Sequence, residues 1–488
     1  MPTYAYSYWI FKRALSLIYV IAFISVATQV LGLCGEHGIL PIAEYLKSLQ
    51  VGQGTSFVHL FLKAPSLFWI STSDSVLVAA AWIGALAGVA AFLGWAEGWM
   101  FLLCFILYVS FRATGQRFLA YQWDSLLVEL GFLTVFVTPW RLSNSFFVTR
   151  EPRKVMRFLF YLVLFKLMFT SGVAKTLSGA PNWSDFTALS YHYWTQPLPN
   201  PISPFMYALP LWVHRFSTLM TFVIELGFPF FILWPRTRVL AASGFIVLSL
   251  MIFTTGNFAF FNWLVLALCT WLIPDHYWRR LFNRLNPKMM KRLTVVTKPR
   301  TVSPGLLVFA GVMALFSILW IARSFQPRPV DSTSMSVYAV TKALGISTPL
   351  GIFATITTSR PEVVIEGSED GVSWKEYEFH YRPGPLDRSP PFIAPFQPRI
   401  DWQLWFAGLA TYHPNPWFDN FMNRVLEGSP NVLAFFSKNP FPDKPPNYLR
   451  ASRYEYEFNR PSEILSTGLW WRRTYLNQFS PIYKASIK

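Results

Sequence analysis

The stretch "KLMFTSGVAKTLSGAPNWSDFTALSYHYWTQPLPNPISPF", Lys166–Phe205, decides how this chain is read. It leaves an apolar run, Met156–Thr176, that is long enough to cross a bilayer, since a spanning helix needs roughly 20 mostly apolar residues. Two lysines, Lys166 and Lys175, sit in that run or at its edge, and an aromatic, proline-rich passage follows before the next apolar run begins. An ionisable residue at the depth of Lys166 costs roughly 2.5–3.5 kcal/mol on insertion scales, so it must face other helices and find a partner. Glu225 in "TFVIELGFPFF" is the first candidate partner and Glu129 in "DSLLVELGF" the second. Such a pair either fixes helix packing or lines a polar cavity. Lys175 lies nine residues on, about half a turn out of phase with Lys166. It is expected at the outer membrane boundary, where a lysine snorkels at little cost. The alternative is an amine desolvated by the aromatic loop and acting as a base.

Working outward, the same apolar character repeats along the chain. Of 488 residues, 53% are hydrophobic, 18% aromatic and only 14% charged, where a soluble globular chain is about a quarter charged. The candidate spans are Arg13–Leu33, Ser75–Gly94, Trp99–Phe111, Asp124–Pro139, Met156–Thr176, Trp212–Trp234, Arg238–Thr254, Phe258–Pro274 and Ser303–Arg323. The net charge of +17 is concentrated in short segments between them: Lys12/Arg13, Arg141–Arg157, Arg236/Arg238 and Asp275–Thr301. That is the pattern of cytosolic loops facing anionic lipid rather than of a nucleic-acid groove, so no nucleic-acid partner is expected. The opposite side then receives the outer loops 34–74 and 177–211 and everything after Arg323. Three cysteines, Cys34, Cys104 and Cys269, without a CxxC pair, make a disulfide framework or thiol-exchange chemistry a poor reading.

From about Ser324 the long apolar runs stop. "EVVIEGSEDGVSWKEYEFHY", Glu362–Tyr381, reads as a β-hairpin turning at Asp370-Gly371. "RYEYEF", Arg453–Phe458, alternates like a strand, and "DWQLWFAGLA" and "PWFDNFMNRVLEGSPNVLAFFSKNP" look helical. The expected organisation is a polytopic α-helical bundle of about nine spans over residues 1–323, followed by an extracytosolic α+β domain with β-hairpins over residues 324–488.

Few residues carry recognisable chemistry. Asp124 and Glu129 are acidic groups in an apolar helix. Trp183, Tyr191, Tyr193 and Trp194 suit an interfacial belt, and Gln196 and the prolines after it suit a rigid recognition loop. His192 is read as a hydrogen-bonded structural residue, a base or a metal ligand, but no second His or carboxylate stands at ligand spacing and no metal or cofactor is expected. Asn182-Trp183-Ser184 matches a glycosylation acceptor. Arg399 and Asp401 in "FQPRIDWQLWFAGL" are expected to pair with each other. No nucleophile elbow, Walker loop, HExxH or dinucleotide fingerprint is present.

Longer motifs carry a resemblance. "GEHGILPIAEYL" (Gly35–Leu46), "YQWDSLLVELGFL" (Tyr121–Leu133), "KLMFTSGVAK", "YHYWTQPLPNP", "HRFSTLMTFVIEL" and "GNFAFFNWL" follow in the order found in the lipase maturation factors. The likeness continues through "DGVSWKEYEFHYRPG", "QPRIDWQLWFAGL", "NPWF", "KNPF" and "WWRR". It implies a multi-pass protein of the endoplasmic reticulum membrane in a eukaryote, or of the inner membrane in a bacterium. Its extracytosolic domain would help newly made secreted lipases, or other exported clients, reach their active fold, with no bond-making chemistry. The helical part is also faintly similar to the vitamin-K-dependent carboxylase-like membrane domain. There "SGVAK" would make Lys175 a catalytic base, with His192, Lys166 and Glu225 lining a cavity for a lipid or quinone.

Overall fold

A computed structural model describes residues 3–51, 56–142, 145–296, 301–325 and 332–485. Part of the basic segment read from the sequence, 297–300, lies outside the described residues. Six helices are long and apolar enough to cross a membrane: α1 (Ala5–Ala27), α2 (Asp74–Leu93), α3 (Glu97–Thr114), α5 (Lys154–Leu177), α9 (Arg238–Thr255) and α12 (Pro304–Ser324). Between them lie α4 (Gln122–Val137), α6 (Ala188–Thr195), α7 (Leu211–Phe222), α8 (Phe228–Phe231), α10 (Phe261–Thr270) and α11 (Asp275–Leu285). Each of the nine expected spans overlaps a helix, but only six of them overlap one of membrane length among the described residues. α4, the α7–α8 pair and α10 are shorter or broken, and the expected span Arg13–Leu33 is interrupted after Ala27.

The first span starts earlier than its charges suggest. α1 begins at Ala5, so Lys12 and Arg13 lie inside the helix and are buried rather than exposed in a loop before it. Glu97 at the start of α3 takes both, at 2.5 Å from Lys12 Nζ and 2.9 Å from Arg13 Nη1. The start of α1 is fixed from a distance. Asp275 accepts hydrogen bonds from the backbone N–H groups of Ala5 (2.9 Å) and Tyr6 (2.8 Å), satisfying donors with no partner in the first turn and placing negative charge at the positive helix end. On the same end of the bundle, β1 (Val148–Arg150) pairs in parallel with β2 (Thr294–Val296).

α1 packs against α2, α3 and α10, and aromatic rings fill the spaces. Phe160 of α5 stacks on Trp271 with centroids 4.5 Å apart, and Phe11 meets Phe160 edge-on at 4.9 Å. α5 is the most enclosed of the long helices, with 72% of its apolar window buried, and α12 the least, at 17%. α12 rides on α5 at the periphery of the bundle, where its apolar surface suits lipid.

The C-terminal region is built on an antiparallel sheet. The order is β4 (Lys375–Glu376), β3 (Pro361–Ser368), β5 (Tyr448–Phe458), β6 (Trp471–Gln478), with β7 (Tyr483–Lys484) also on β5. β3 and β5 run opposed from Pro361↔Glu455 to Ser368↔Tyr448. The expected hairpin is present as β3–β4. Its turn is held by Asp370 Oδ1, which accepts from Val372 N (2.8 Å) and Ser373 N (2.7 Å), while Gly371 takes φ +75°, which a side chain would oppose. Helices α13 (Arg399–Leu409) and α14 (Pro416–Leu426) cover the sheet.

The hydrophobic core does not stop at the change in composition. One continuous cluster runs from Tyr19 and Trp271 in the helical region to Val363, Ile365, Trp402 and Phe421 in the C-terminal region. Trp123 at the start of α4 packs edge-on against Trp402 of α13 at 4.8 Å. Before entering β3, the chain lays an extended strap, residues 346–358, against α4, α5 and the 178–210 loop.

Candidate functional site

α5 carries Lys166 and Lys175 on different faces, and each has its own carboxylate. Lys166 Nζ lies 2.6 Å from Glu129 Oε1 on α4 and 3.2 Å from Ser347 Oγ on the strap. The other Glu129 oxygen accepts from Thr348 N (3.1 Å) and Thr348 Oγ1 (2.9 Å). Lys175 Nζ lies 2.7 Å and 2.9 Å from the two Glu225 oxygens, 3.2 Å from Ile352 O and 3.4 Å from Ser171 O. The partner order read from the sequence is therefore corrected: Lys166 takes Glu129, and Glu225 goes to Lys175. The cause is a close helix approach. A Cβ on Gly172 would stand 2.6 Å from Leu226 Cδ2 and 3.2 Å from Glu225 Cβ, so only glycine lets the C-terminal end of α5 press against the segment that holds Glu225.

That segment, Val223–Gly227, is a π-helical turn joining α7 to α8. Such turns carry one extra residue and occur frequently at functional sites. Lys175 does not snorkel. It is buried, with the rings of Trp183 and Phe353 at 5.4 Å and 5.8 Å from its Nζ, because the 178–210 loop folds back over the end of α5 and the strap closes the remaining side. The two Glu225 oxygens and the Ser171 and Ile352 carbonyls surround the amine.

A second correction concerns α13. Arg399 and Asp401 are two apart on a helix and point about 200° away from each other. Arg399 turns into the helical region, where Nη1 and Nη2 meet Asp124 Oδ2 and Oδ1 at 3.0 Å and 2.9 Å. Tyr108 donates its hydroxyl to the same carboxylate at 2.6 Å. Asp401 is left with the backbone N–H of Arg382 at 3.2 Å, and burial pushes its carboxyl up to about 7.

The aromatic loop is an ordered cap. Gln196 Nε2 donates to Tyr193 O (3.1 Å), Ser203 Oγ (3.1 Å) and Thr255 O (2.8 Å). Tyr193 is buried and Tyr191 partly so. Asn182 is buried on a short helix, and its Nδ2 donates to Ile356 O at 2.8 Å, so the glycosylation reading fails in the folded chain: its nitrogen faces the strap, not solvent. The residue missed by sequence reading is Arg360. It is fully buried and donates to the carbonyls of Trp194 (2.8 Å), Gln196 and Pro197 (2.9 Å). One signal was available: a proline-rich run has few N–H groups and cannot pair its own carbonyls, which calls for an external multi-donor such as arginine.

The His192 side chain makes no hydrogen bond or ion pair among the described residues. Its ring stacks on Phe258 (5.9 Å, 10°) and meets Phe353 edge-on at 5.4 Å. Burial, then the nearby Lys175 charge, pushes it down to about 4, so the imidazole is neutral. Among the described residues no His, Cys, Asp and Glu side chains cluster as a metal site, and the three cysteines are buried and free.

Two cavities flank the strap, and His192, Phe353 and Ile356 border both. One, about 540 Å³, lies between α7 and α9 and ends at Lys175 and Glu225. The other, about 390 Å³, lies between Trp123, Trp402 and Trp405.

The comparisons with known proteins follow this division. Residues 6–280 match the lipase maturation factor transmembrane domain, and residues 346–481 the lipase maturation factor C-terminal domain. The chain is 32% identical to lipase maturation factor 2 of Homo sapiens, over 97% of this chain and 82% of that protein. It is 33% identical to lipase maturation factor 1 of Bos taurus, over 96% of this chain and 87% of that protein. No solved structure matches it. The match thus runs through both the helical region and the region built on the sheet, and the chain belongs to the lipase maturation factor family.

Proposed function

We propose that this protein assists the maturation of secreted lipases, or of other exported proteins, from within a membrane. The observation that carries the reading is the end-to-end relatedness to lipase maturation factors 1 and 2, which takes in the helical and C-terminal regions alike. In this reading residues 1–323 anchor the protein and residues 324–488 act on the non-cytosolic side. The sidedness is supported by the basic segments near Arg153, Arg238 and Arg280, which lie at the chain ends of the helices opposite the 178–210 loop. The membrane is that of the endoplasmic reticulum in a eukaryote and the inner membrane in a bacterium. Partly folded clients would be held without bond-making chemistry, on apolar surface that includes the exposed Phe392 and Phe406.

The test is deletion of the gene from its host and return of the full-length protein. Secreted lipase activity per mass of secreted enzyme is expected to fall on deletion and to recover with the wild type. Unchanged lipase activity in the deletion strain would overturn the proposal. A Phe392→Ser/Phe406→Ser variant that reaches the membrane is expected to restore less than the wild type.

A further inference from the structure

We infer that the cavity between α7 and α9 is a binding site for one long-chain, uncharged amphiphile drawn from the bilayer, its head hydrogen-bonded to His192 and its chain lying between the two helices. This goes beyond client handling and does not require it.

The shape and position come first. At about 540 Å³ the cavity falls within the size range of small-molecule sites. Phe216 on α7 and Leu240, Val247 and Met251 on α9 line it and are also exposed, and α9 is one of the six membrane-length helices. The mouth therefore faces hydrocarbon, not water. Three of the hydroxyls on its walls are used within their own helices: Thr221 donates to Ser217 O at 2.9 Å, Ser243 to Leu240 O at 2.9 Å and Thr255 to Met251 O at 2.7 Å. Most of the remaining lining, between the two helices, is apolar, and the Ser217 and Tyr193 hydroxyls also border it. A Cβ on Gly244 would stand 2.2 Å from Phe228 Cδ2, so glycine there lets the Phe228 ring form one wall.

The closed end sets the head group. Lys175 and Glu225 cancel each other's charge and use both carboxylate oxygens in doing so. That leaves no net charge to hold a phosphate or an ammonium. His192 supplies the hydrogen-bonding group. It is 8% exposed, borders the cavity, and its ring has no hydrogen-bond partner among the described residues, with ring contacts to Tyr193, Phe258 and Phe353. A buried polar group without a partner is rare and costly. A neutral imidazole offers one donor and one acceptor, which matches a hydroxyl or carbonyl head. Trp183, on the same wall, has no acceptor for its indole N–H either. The π-turn adds an independent mark, because it places Glu225 at this point of an otherwise lipid-facing helix.

The experiment uses the full-length protein in lipid nanodiscs and two photoreactive probes: hexadecanol with a mid-chain diazirine, and the same chain ending in a phosphate. The alcohol is expected to label peptides of α7 and α9 and to exceed the phosphate probe there. Val247→Trp, which narrows the mouth from the lipid side, is expected to lower labelling about tenfold. His192→Phe, which keeps the stacking and removes the polar edge, is expected to lower it about fivefold, the worth of one hydrogen bond. Unfolding temperatures report whether each variant is folded, and the contrast between the two probes needs no variant at all. Equal labelling by both probes, labelling spread evenly onto α12, or indifference to Val247→Trp would overturn the inference.

Discussion

Lys166–Glu129 and Lys175–Glu225 are the same two side chains used twice on one helix, and their surroundings are opposite. The first pair sits in solid packing between α4 and α5, with Ser347 and Thr348 completing its hydrogen bonds. The second sits on a π-turn at the end of a cavity, with one neighbouring histidine left without a partner. Both are buried charges that must be matched, so pairing alone does not separate a packing device from a ligand-facing group. The separation comes from what fills the space beside the pair: protein hydroxyls at one, empty apolar volume at the other.

The contrast predicts unequal costs. Glu129→Ala leaves the Lys166 ammonium in dry packing and is expected to lose about 3–5 kcal/mol of stability, read by denaturant unfolding in detergent. The double variant Lys166→Met/Glu129→Leu is expected to recover most of that loss, since apolar replacement of a buried pair is often neutral. Glu225→Ala is expected to cost less, about 2 kcal/mol, because the Ser171 and Ile352 carbonyls still accept from Lys175. Equal losses at the two sites would erase the difference drawn here.

Asp401 sharpens the rule from the other side, as a buried carboxyl with a backbone donor and no ion-pair partner among the described residues. Burial raises it from the usual 3.8 to about 7, so the native chain keeps a proton that the unfolded chain releases. Its contribution is present below the unfolded value and is lost as pH rises through about 7. Between about pH 6 and pH 8 the loss amounts to about 1 kcal/mol, and Asp401→Asn is expected to flatten that slope in a pH series of unfolding curves. The smallest effect is at the sealed pair's edge: Ser347→Ala removes one hydrogen bond to Lys166 and is expected to cost about 1 kcal/mol. No change at all would mean that the strap does not complete the pair.

Much of the helical architecture was legible because the membrane imposes it. Runs such as Met156–Thr176 have few alternatives once backbone groups must pair internally, and the Asp370-Gly371 turn is equally local. The need for Lys166 to have a partner was also legible; which partner was not. That choice depends on how far the 178–210 loop folds back and on Gly172 admitting Leu226, neither of which leaves a periodic trace. Arg399 and Asp401 were misread as a pair because closeness in sequence was taken for closeness on the helix. The strap was invisible for a further reason. "ISTPLGIFATIT", Ile346–Thr357, has no helical or strand period, since most of its hydrogen bonds go to side chains more than 170 positions away.

That distance along the chain has a consequence for how the protein is made. When α4 and α5 leave the ribosome, Ser347, Thr348 and Ile352 do not yet exist, and Glu129 and Lys175 lack part of their final surroundings. The helices therefore wait, incompletely satisfied, for the last third of the polypeptide to arrive. A truncated product would display polar groups in the hydrocarbon, marking itself as unfinished to any quality-control system that surveys the bilayer.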